Sequence, residues 1–348
     1  MKKIMRAGKV ALSAVGLSLV THVSEAQVGI GTTLPQAMLH VHDGGVLFTN
    51  ETPDPAENLF YDPSAPEPTH YRVKWFHSKG AFRILNEEII NQGFDISKIG
   101  LFSFGAGFEV AAGGIGSAAL GIRTNASGRA SFASGYNSSA TGLQSFAHGT
   151  FANANGDRSV ALGYQVSTNG KTGSFIFGDD SGSSTNDANN QMMMRFAGGY
   201  KLFSNAANSI GVQMIANGNA WSVISDVNKK ENFAPVNGED FLQKISKMNL
   251  TSWNYKGQDP KAFRHYGPMA QEFYKAFGRD AYGTIGSDTT INQADFDGVN
   301  LIAIQALVRK MEQMNSDLLA EIAAIKAQLA DAQSALRRKN KRELVSKR

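Results

Sequence analysis

Small and apolar residues alternate in a unit that returns every fourteen positions: Ser103-Phe-Gly-Ala-Gly, Ser117-Ala-Ala-Leu-Gly, Ser131-Phe-Ala-Ser-Gly, Ser145-Phe-Ala-His-Gly, Ser159-Val-Ala-Leu-Gly and, one residue late, Ser174-Phe-Ile-Phe-Gly. The first, third and fifth places are almost always small and the second is usually larger and apolar, which predicts a five-residue strand with one narrow face. Glycines fall every seven residues from Gly107 through Gly170, so each unit carries a second glycine at its half-period. Such regularity predicts a solenoid. The half-period glycines are expected to make the tight turns, because glycine adopts positive φ without steric cost. A coil of fourteen residues encloses little, which leaves Phe132, Phe146 and Val160 to be buried by other chains.

A second pattern occupies the C-terminal end. Leu301, Ile304, Val308, Met311, Asn315, Leu318, Ile322, Ile325, Leu329, Ala332 and Leu336 step by three and four, the stripe of a coiled coil. Asn315 at an a-type position fixes register, and the isoleucines suit three strands. Ahead of the repeats, residues 27–98 read as a β-rich region with Pro-rich loops. There the alternation Met38-Leu-His-Val-His predicts a short strand; His40 and His42 lie on one face but lack a third ligand, so they read as ordinary strand residues. Gly29-Ile-Gly31 is followed by neither a helix nor a suitably placed acid, which excludes a dinucleotide loop. Residues 179–190, rich in Asp, Ser and Asn, read as a solvated loop ending the solenoid; they lack the spacing of a calcium loop. Met192 to Leu202 reads as a short strand pair.

Composition changes the picture at the termini. Lys2, Lys3, Arg6 and Lys9 precede an apolar run from Val10 to Val20 and then Ser24-Glu25-Ala26, the pattern of a secretory signal peptide cut after Ala26 and too short for a transmembrane span. Of 34 Lys/Arg and 30 Asp/Glu, that segment holds four and one, leaving 30 against 29 and a net charge of +1. The last twelve residues carry seven Lys/Arg and one Glu, so the body between is acidic, at odds with a nucleic-acid surface. The chain has no cysteine, which fits an exported protein stabilised by oligomerisation. Neither a cofactor nor a metal site is expected.

The Ser-x-Ala-x-Gly repeat over about residues 101–178 resembles the head region of trimeric autotransporter adhesins, which implies a trimeric, left-handed parallel β-roll. A second resemblance covers about residues 221–335. It is carried by Ser225-Asp226, by Lys230 five residues after the serine, by a helix expected from Glu239 to Met248, by Gly267-Pro-Met-Ala-Gln-Glu272, and by the closing helix. Together these resemble the intramolecular chaperone and auto-processing domain of phage endosialidases, tail spikes and tail fibres. That resemblance implies a serine–lysine dyad cutting the Ile224–Ser225 bond, with Ser225 as nucleophile and Lys230 as base. A lysine is a poor base at neutral pH unless desolvated or set beside another cation, and Lys229 is such a neighbour, also a competitor for the role. Asp226, His265 and Gln271 are supporting candidates. The sequence departs from the commonest family pattern, which has an arginine near Val227 or Asn228 and an apolar residue where Lys229 stands.

The expected fold is mainly β with an α-helical C-terminus: a trimeric parallel β-roll, an α/β chaperone domain and a coiled coil. The expected segments are 1–26 signal peptide, 27–98 β-rich region, 99–178 repeats, 179–220 loop and short strands, 221–300 chaperone domain, 301–338 coiled coil and 339–348 basic tail. The expected function is a secreted or cell-surface homotrimeric fibre whose C-terminal domain directs assembly and cuts itself. The alternative is an uncut adhesin that binds a host-surface or glycan ligand along the β-roll.

Overall fold

The computed structural model describes residues 28–30, 32–33, 39–41, 47–50, 70–87 and 94–346. The expected signal peptide and His42 lie outside the described residues. The chain divides into two units, Met1–Tyr200 with Ile215–Asn217, and Lys201–Met214 with Gly218–Arg348. Among the described residues no helix is long and apolar enough to cross a membrane.

In the first unit Val28–Ile30 (β1) pairs in parallel with Leu39–Val41 (β2), which holds His40. Leu47–Asn50 (β3), His70–Phe76 (β4) and Ala81–Glu87 (β5) form an antiparallel run. β5 then pairs in parallel with Phe104–Phe108 (β6), so from β3 onward the residues before the repeat already belong to its sheet. Ala118–Ile122 (β7), Asn125–Ala126 (β8), Phe132–Tyr136 (β9), Ser139–Ala140 (β10), Phe146–Thr150 (β11), Asn153–Ala154 (β12), Val160–Tyr164 (β13), Val166–Ser167 (β14), Phe175–Gly178 (β15), Ser184–Thr185 (β16) and Met192–Arg195 (β17) follow. The odd-numbered strands complete a ten-stranded sheet and the even-numbered ones a five-stranded sheet. Partners lie fourteen residues apart through most of the stack, as Phe132↔Phe146 and Phe146↔Val160 show.

The alternation explains what is inside. Ala119, Ala133, Ala147 and Ala161 line one wall and Ala126, Ala140 and Ala154 the other, all fully buried; two sheets this close leave room for a methyl group. The serine that opens each unit is buried too. The hydroxyls of Ser103, Ser131, Ser145 and Ser159 donate to the carbonyls of Gly100, Gly128, Gly142 and Gly156 at 2.6–2.7 Å, which offsets the cost of burying them. The second place faces outward, where Phe132 and Phe146 stack with centroids 5.1 Å apart. Phe104, Phe146 and Phe175 are each about two-fifths exposed, so this apolar stripe is uncovered in a single chain, as the narrow coil implies.

The turns differ from expectation. Gly114, Gly128, Gly142 and Gly156 open turns without taking a positive φ, which among the half-period glycines only Gly170 has, at 71°; a Cβ on Gly128 would stand 2.0 Å from the Gly142 carbonyl oxygen, so these four serve close stacking of coils. The chain reverses instead at two left-handed positions per coil held mostly by other residues. One set is Glu109, Arg123, Asn137, Phe151 and Gln165; the other is Phe102, Ala130, Gln144 and Arg158, with φ from 50° to 58° throughout. Gly116 and Gly173 occupy the second turn in two of the coils. The left-handed region disfavours any residue with a Cβ by about 1 kcal/mol. Ala130→Gly is therefore expected to stabilise the solenoid by a few tenths to about 1 kcal/mol, read as a rise in its thermal midpoint.

An arginine closes each end. Arg83, on β5, points inward in line with the alanine wall and is fully buried. Its guanidinium donates to the carbonyls of Phe82, Ser103 and Ala112 at 2.9–3.0 Å and to the Ser103 hydroxyl at 2.7 Å. Gly105 takes the place of the usual alanine because a Cβ there would lie 2.9 Å from the Arg83 side chain. Burial lowers the Arg83 pKa to about 10, which still leaves it charged at neutral pH.

At the far end the sheet does not stop at residue 178. The polar segment expected to end the solenoid carries β16 back onto the second sheet, and β17 continues the first, pairing with β15 rather than with the strand after it. Arg195 binds Asp179 at 2.6 Å and Ser184 at 2.6 Å, and also reaches Ser181 and the Gly182 carbonyl. The Ser181 hydroxyl and the Ala197 amide hold the Asp179 carboxyl down at about 2. A depressed carboxyl contributes stability above its unfolded pKa of 3.8 and loses it as pH falls through 2. The solenoid's melting temperature is thus expected to drop between about pH 4 and pH 2, and Asp179→Asn to flatten part of that drop.

Gly199–Phe203 (β18), Gly211–Ile215 (β19) and Ser222–Val223 (β20) form one small sheet. Gly238–Ser246 (α1) is capped by Asn237, whose side chain accepts from the amides of Glu239 and Asp240. Thr251–Trp253 (β21) and His265–Gly267 (β22) form an antiparallel pair, followed by Ala270–Phe277 (α2) and Gln293–Ser346 (α3). Phe273, Phe277 and Val299 are the buried centre, with Phe241, Ile245, Met248, Ile291 and Phe296 packed around them. The long helix therefore begins inside the domain, before residue 301. Its Val299 and Ala303 face that core, Ala306 meets Gly238, and Lys310 pairs with Glu239 at 2.7 Å. At 100° per residue, Ile304, Met311, Leu318, Ile322 and Leu329 lie roughly 100–140° around the helix from Val299. All five are exposed, from 39% at Ile322 to 62% at Met311.

Candidate active site

Ser225 immediately follows β20. Residue 224 is tied to β19 by its amide, which donates to the Gly211 carbonyl at 3.2 Å, so the Ile224–Ser225 bond leaves the sheet from a fixed point. Asp226 then caps a short 3₁₀ turn, Val227–Lys229, after which Lys230 is extended. That turn reverses the chain. The Lys230 Nζ donates to the Ser225 Oγ at 2.7 Å, so the two residues that the family resemblance singled out are in contact. Both are exposed, as are Asp226 and Lys229, whereas Ile224 is half-buried. Lys229 is the last residue of the turn.

The arrangement has the parts of a nucleophile and base. In the geometry seen, the Lys230 nitrogen donates and the hydroxyl oxygen accepts. Base catalysis requires the reverse, a neutral amine accepting the hydroxyl proton, and a solvated lysine seldom supplies it at neutral pH. Water must be excluded for the pair to react.

The other candidates are elsewhere. His265, on β22, stacks on Trp253 with centroids 4.7 Å apart and stands edge-on to Tyr255 at 5.5 Å. Its Nε2 is buried with no hydrogen-bond partner among the described residues, and it makes no hydrogen bond to the dyad there. Gln271 is exposed in the first turn of α2. Its neighbour Glu272 does the fastening, accepting from the Asn249 amide at 2.9 Å and so tying α2 to the end of α1, while Phe273 enters the core. The Gly267 to Glu272 segment thus builds the domain. Asn228 was not foreseen: its amide and its Nδ2 both donate to the Asp226 carboxylate, at 2.9 and 3.0 Å. The order Asp-x-Asn, a turn-forming pair, was the available signal.

Residues 225–280 match the family model Peptidase_S74, chaperone of endosialidase, and the match begins at the dyad serine. Residues 112–138 and 140–165 match two copies of the YadA head domain repeat. No curated protein matches the chain. The chain is thus similar to an endosialidase-type chaperone segment preceded by YadA-head-like repeats, and the parallel solenoid fits the latter.

Proposed function

We propose that this chain is a trimeric, exported fibre of adhesin-like character whose segment from Ser225 onward directs assembly and severs itself once, before Ser225. The observation that carries the reading is the 2.7 Å contact of Lys230 with Ser225, at the first residue of the chaperone-like segment and beside the bond to be cut. Support for the trimer comes from two uncovered apolar surfaces: the outward phenylalanine ladder of the solenoid, and the α3 stripe that its own domain leaves exposed.

The chemistry follows from the residues. Lys230, neutral, takes the Ser225 Oγ proton as Oγ bonds to the Ile224 carbonyl carbon. The tetrahedral centre collapses by releasing the Ser225 nitrogen, which takes the proton back from the lysine. An ester then joins Ile224 to the serine oxygen, and water hydrolyses it, leaving a carboxylate on Ile224 and a free amine on Ser225. A second or third chain covering the exposed dyad would supply the desolvation that a single chain lacks. Cleavage is therefore a report of assembly.

Denaturing gels of the purified chain test this. Wild type should yield fragments ending at Ile224 and beginning at Ser225, identified by mass. Ser225→Ala and Lys230→Met should remain full length while still sedimenting as trimers. A stable full-length wild-type band would sink processing and leave the uncut adhesin binding a host-surface or glycan ligand. A monomer by light scattering would remove the trimer from both readings.

A further inference from the structure

The dyad contact depends on a turn with nothing beneath it. Five residues in extended conformation would carry Lys230 roughly 17 Å from Ser225, well beyond the reach of its side chain. The Val227–Lys229 turn closes that distance, through the Lys229 amide on the Asp226 carbonyl at 3.0 Å and the Lys230 amide on the Val227 carbonyl at 3.2 Å. One isolated 3₁₀ turn is marginal in water. Packing does not rescue it, since the turn has no buried residue and Val227 is 64% exposed. What remains is the Asp226 carboxylate, one oxygen of which takes both the Asn228 amide and its Nδ2. Among the described residues the same carboxylate makes no ion pair with Lys229 or Lys230, although it stands within four residues of both.

We infer that Asn228 is a positioning residue for the proposed self-cleavage, acting in two ways through Asp226. It locks the turn that lays Lys230 on Ser225, and it holds one oxygen of the carboxylate inside the turn, where that oxygen is less free to pair with the lysine. This rests on the processing reading, and it adds a specific consequence. Removing the Asn228 side chain takes away one of the two donors to that oxygen, which loosens the turn and leaves the anion more open to the base, so the amine becomes harder to deprotonate.

Full-length chain prepared denatured is diluted into buffers from pH 6 to pH 10, and fragment appearance is timed on gels. The Ser225→Ala protein, run in parallel, reports trimer formation at each pH. Asn228→Ala should slow cleavage about tenfold or more at neutral pH, and should move the rising limb of the pH–rate profile upward. Asn228→Gln, which keeps an amide donor, should recover part of the rate. Asp226→Asn, which keeps a cap but removes the anion, should not move the limb upward. Wild-type cleavage together with an unaltered rate and profile in Asn228→Ala overturns the inference. So does uniform slowing without a shift, which is the mark of a purely structural role. Absence of fragments from wild type itself instead overturns the processing reading on which the inference stands.

Discussion

Gly135→Ala is expected to destabilise the solenoid by roughly 3 kcal/mol or more and to lower its melting temperature by on the order of 10 °C. Two separate faults combine at this position. Its φ of +104° is a conformation that residues with a Cβ rarely adopt, and the added carbon would stand 2.1 Å from the Gly149 carbonyl oxygen in the next coil. That oxygen belongs to a ladder strand and has no room to retreat without widening the spacing between coils. Two further substitutions separate the faults. Gly128→Ala meets the Gly142 oxygen at 2.0 Å at an ordinary φ, and isolates the loss of space. Gly116→Ala, with φ +66° and nothing within 4 Å, isolates backbone strain and is expected to cost only about 1 kcal/mol. Thermal unfolding followed by circular dichroism should rank them Gly135, Gly128, then Gly116. A Gly128 variant as mild as the Gly116 variant would refute the close-stacking role.

Arg83→Ala is expected to have the next largest effect, about 2–4 kcal/mol. The guanidinium fills the end of the alanine core and supplies the hydrogen bonds taken by the Ser103 hydroxyl and the carbonyls of Phe82, Ser103 and Ala112. Truncation opens a void and removes one buried hydrogen bond from each acceptor, although the Ser103 and Ala112 carbonyls keep the amides of Phe82 and Gly100; each lost bond is worth about 1 kcal/mol. Arg83→Met keeps the bulk of the stem but none of the donors, so it should recover the packing share alone. Equal stability of the methionine variant and wild type would mean that water replaces the donors, and that the arginine is only a filler. Because the residue caps the first coil, amide exchange should rise most in β5 and β6.

How much of this was legible beforehand varies by residue. The strands were readable because the Ser-x-Ala-x-Gly alternation has period two and the coil repeats without ambiguity; Phe132↔Phe146 pairs as the fourteen-residue step requires. The turns were not. Glycine was credited with them because it tolerates positive φ, yet the left-handed positions fell to Ala130, Phe151 and Gln165, whose types carry no turn signal. A glycine needed for space and one needed for φ look alike in a sequence, and a neighbouring coil decides between them. Gly170 illustrates this: it keeps the seven-residue spacing, but the coil it ends is one residue longer, and Lys171 takes the stacked place against Gly156. Nor did the ends show. Arg83 and Arg195 lie outside the repeat, and only folding brings them to its two openings.

The candidate site was legible in its proposed pair and illegible in its support. Ser225 and Lys230 were singled out through the family resemblance, and they meet. Gln271 and His265, taken along with their motif, are an exposed helix residue and a member of an aromatic stack. Asn228 and Glu272 carry the fastening instead, because hydrogen bonds to backbone amides depend on turn geometry that composition does not reveal.

The repeat also makes the molecule a ruler. Each coil advances the stack by one strand spacing, about 4.8 Å, and meets its neighbours through the same serine, alanine and glycine contacts. Duplicating or deleting one fourteen-residue unit therefore changes length by that fixed step and leaves every contact type intact. The two arginine plugs sit outside the copied unit and would close a longer or shorter stack equally well. The length of the stack is thus adjustable in small, equal increments by recombination alone, with no new packing problem to solve.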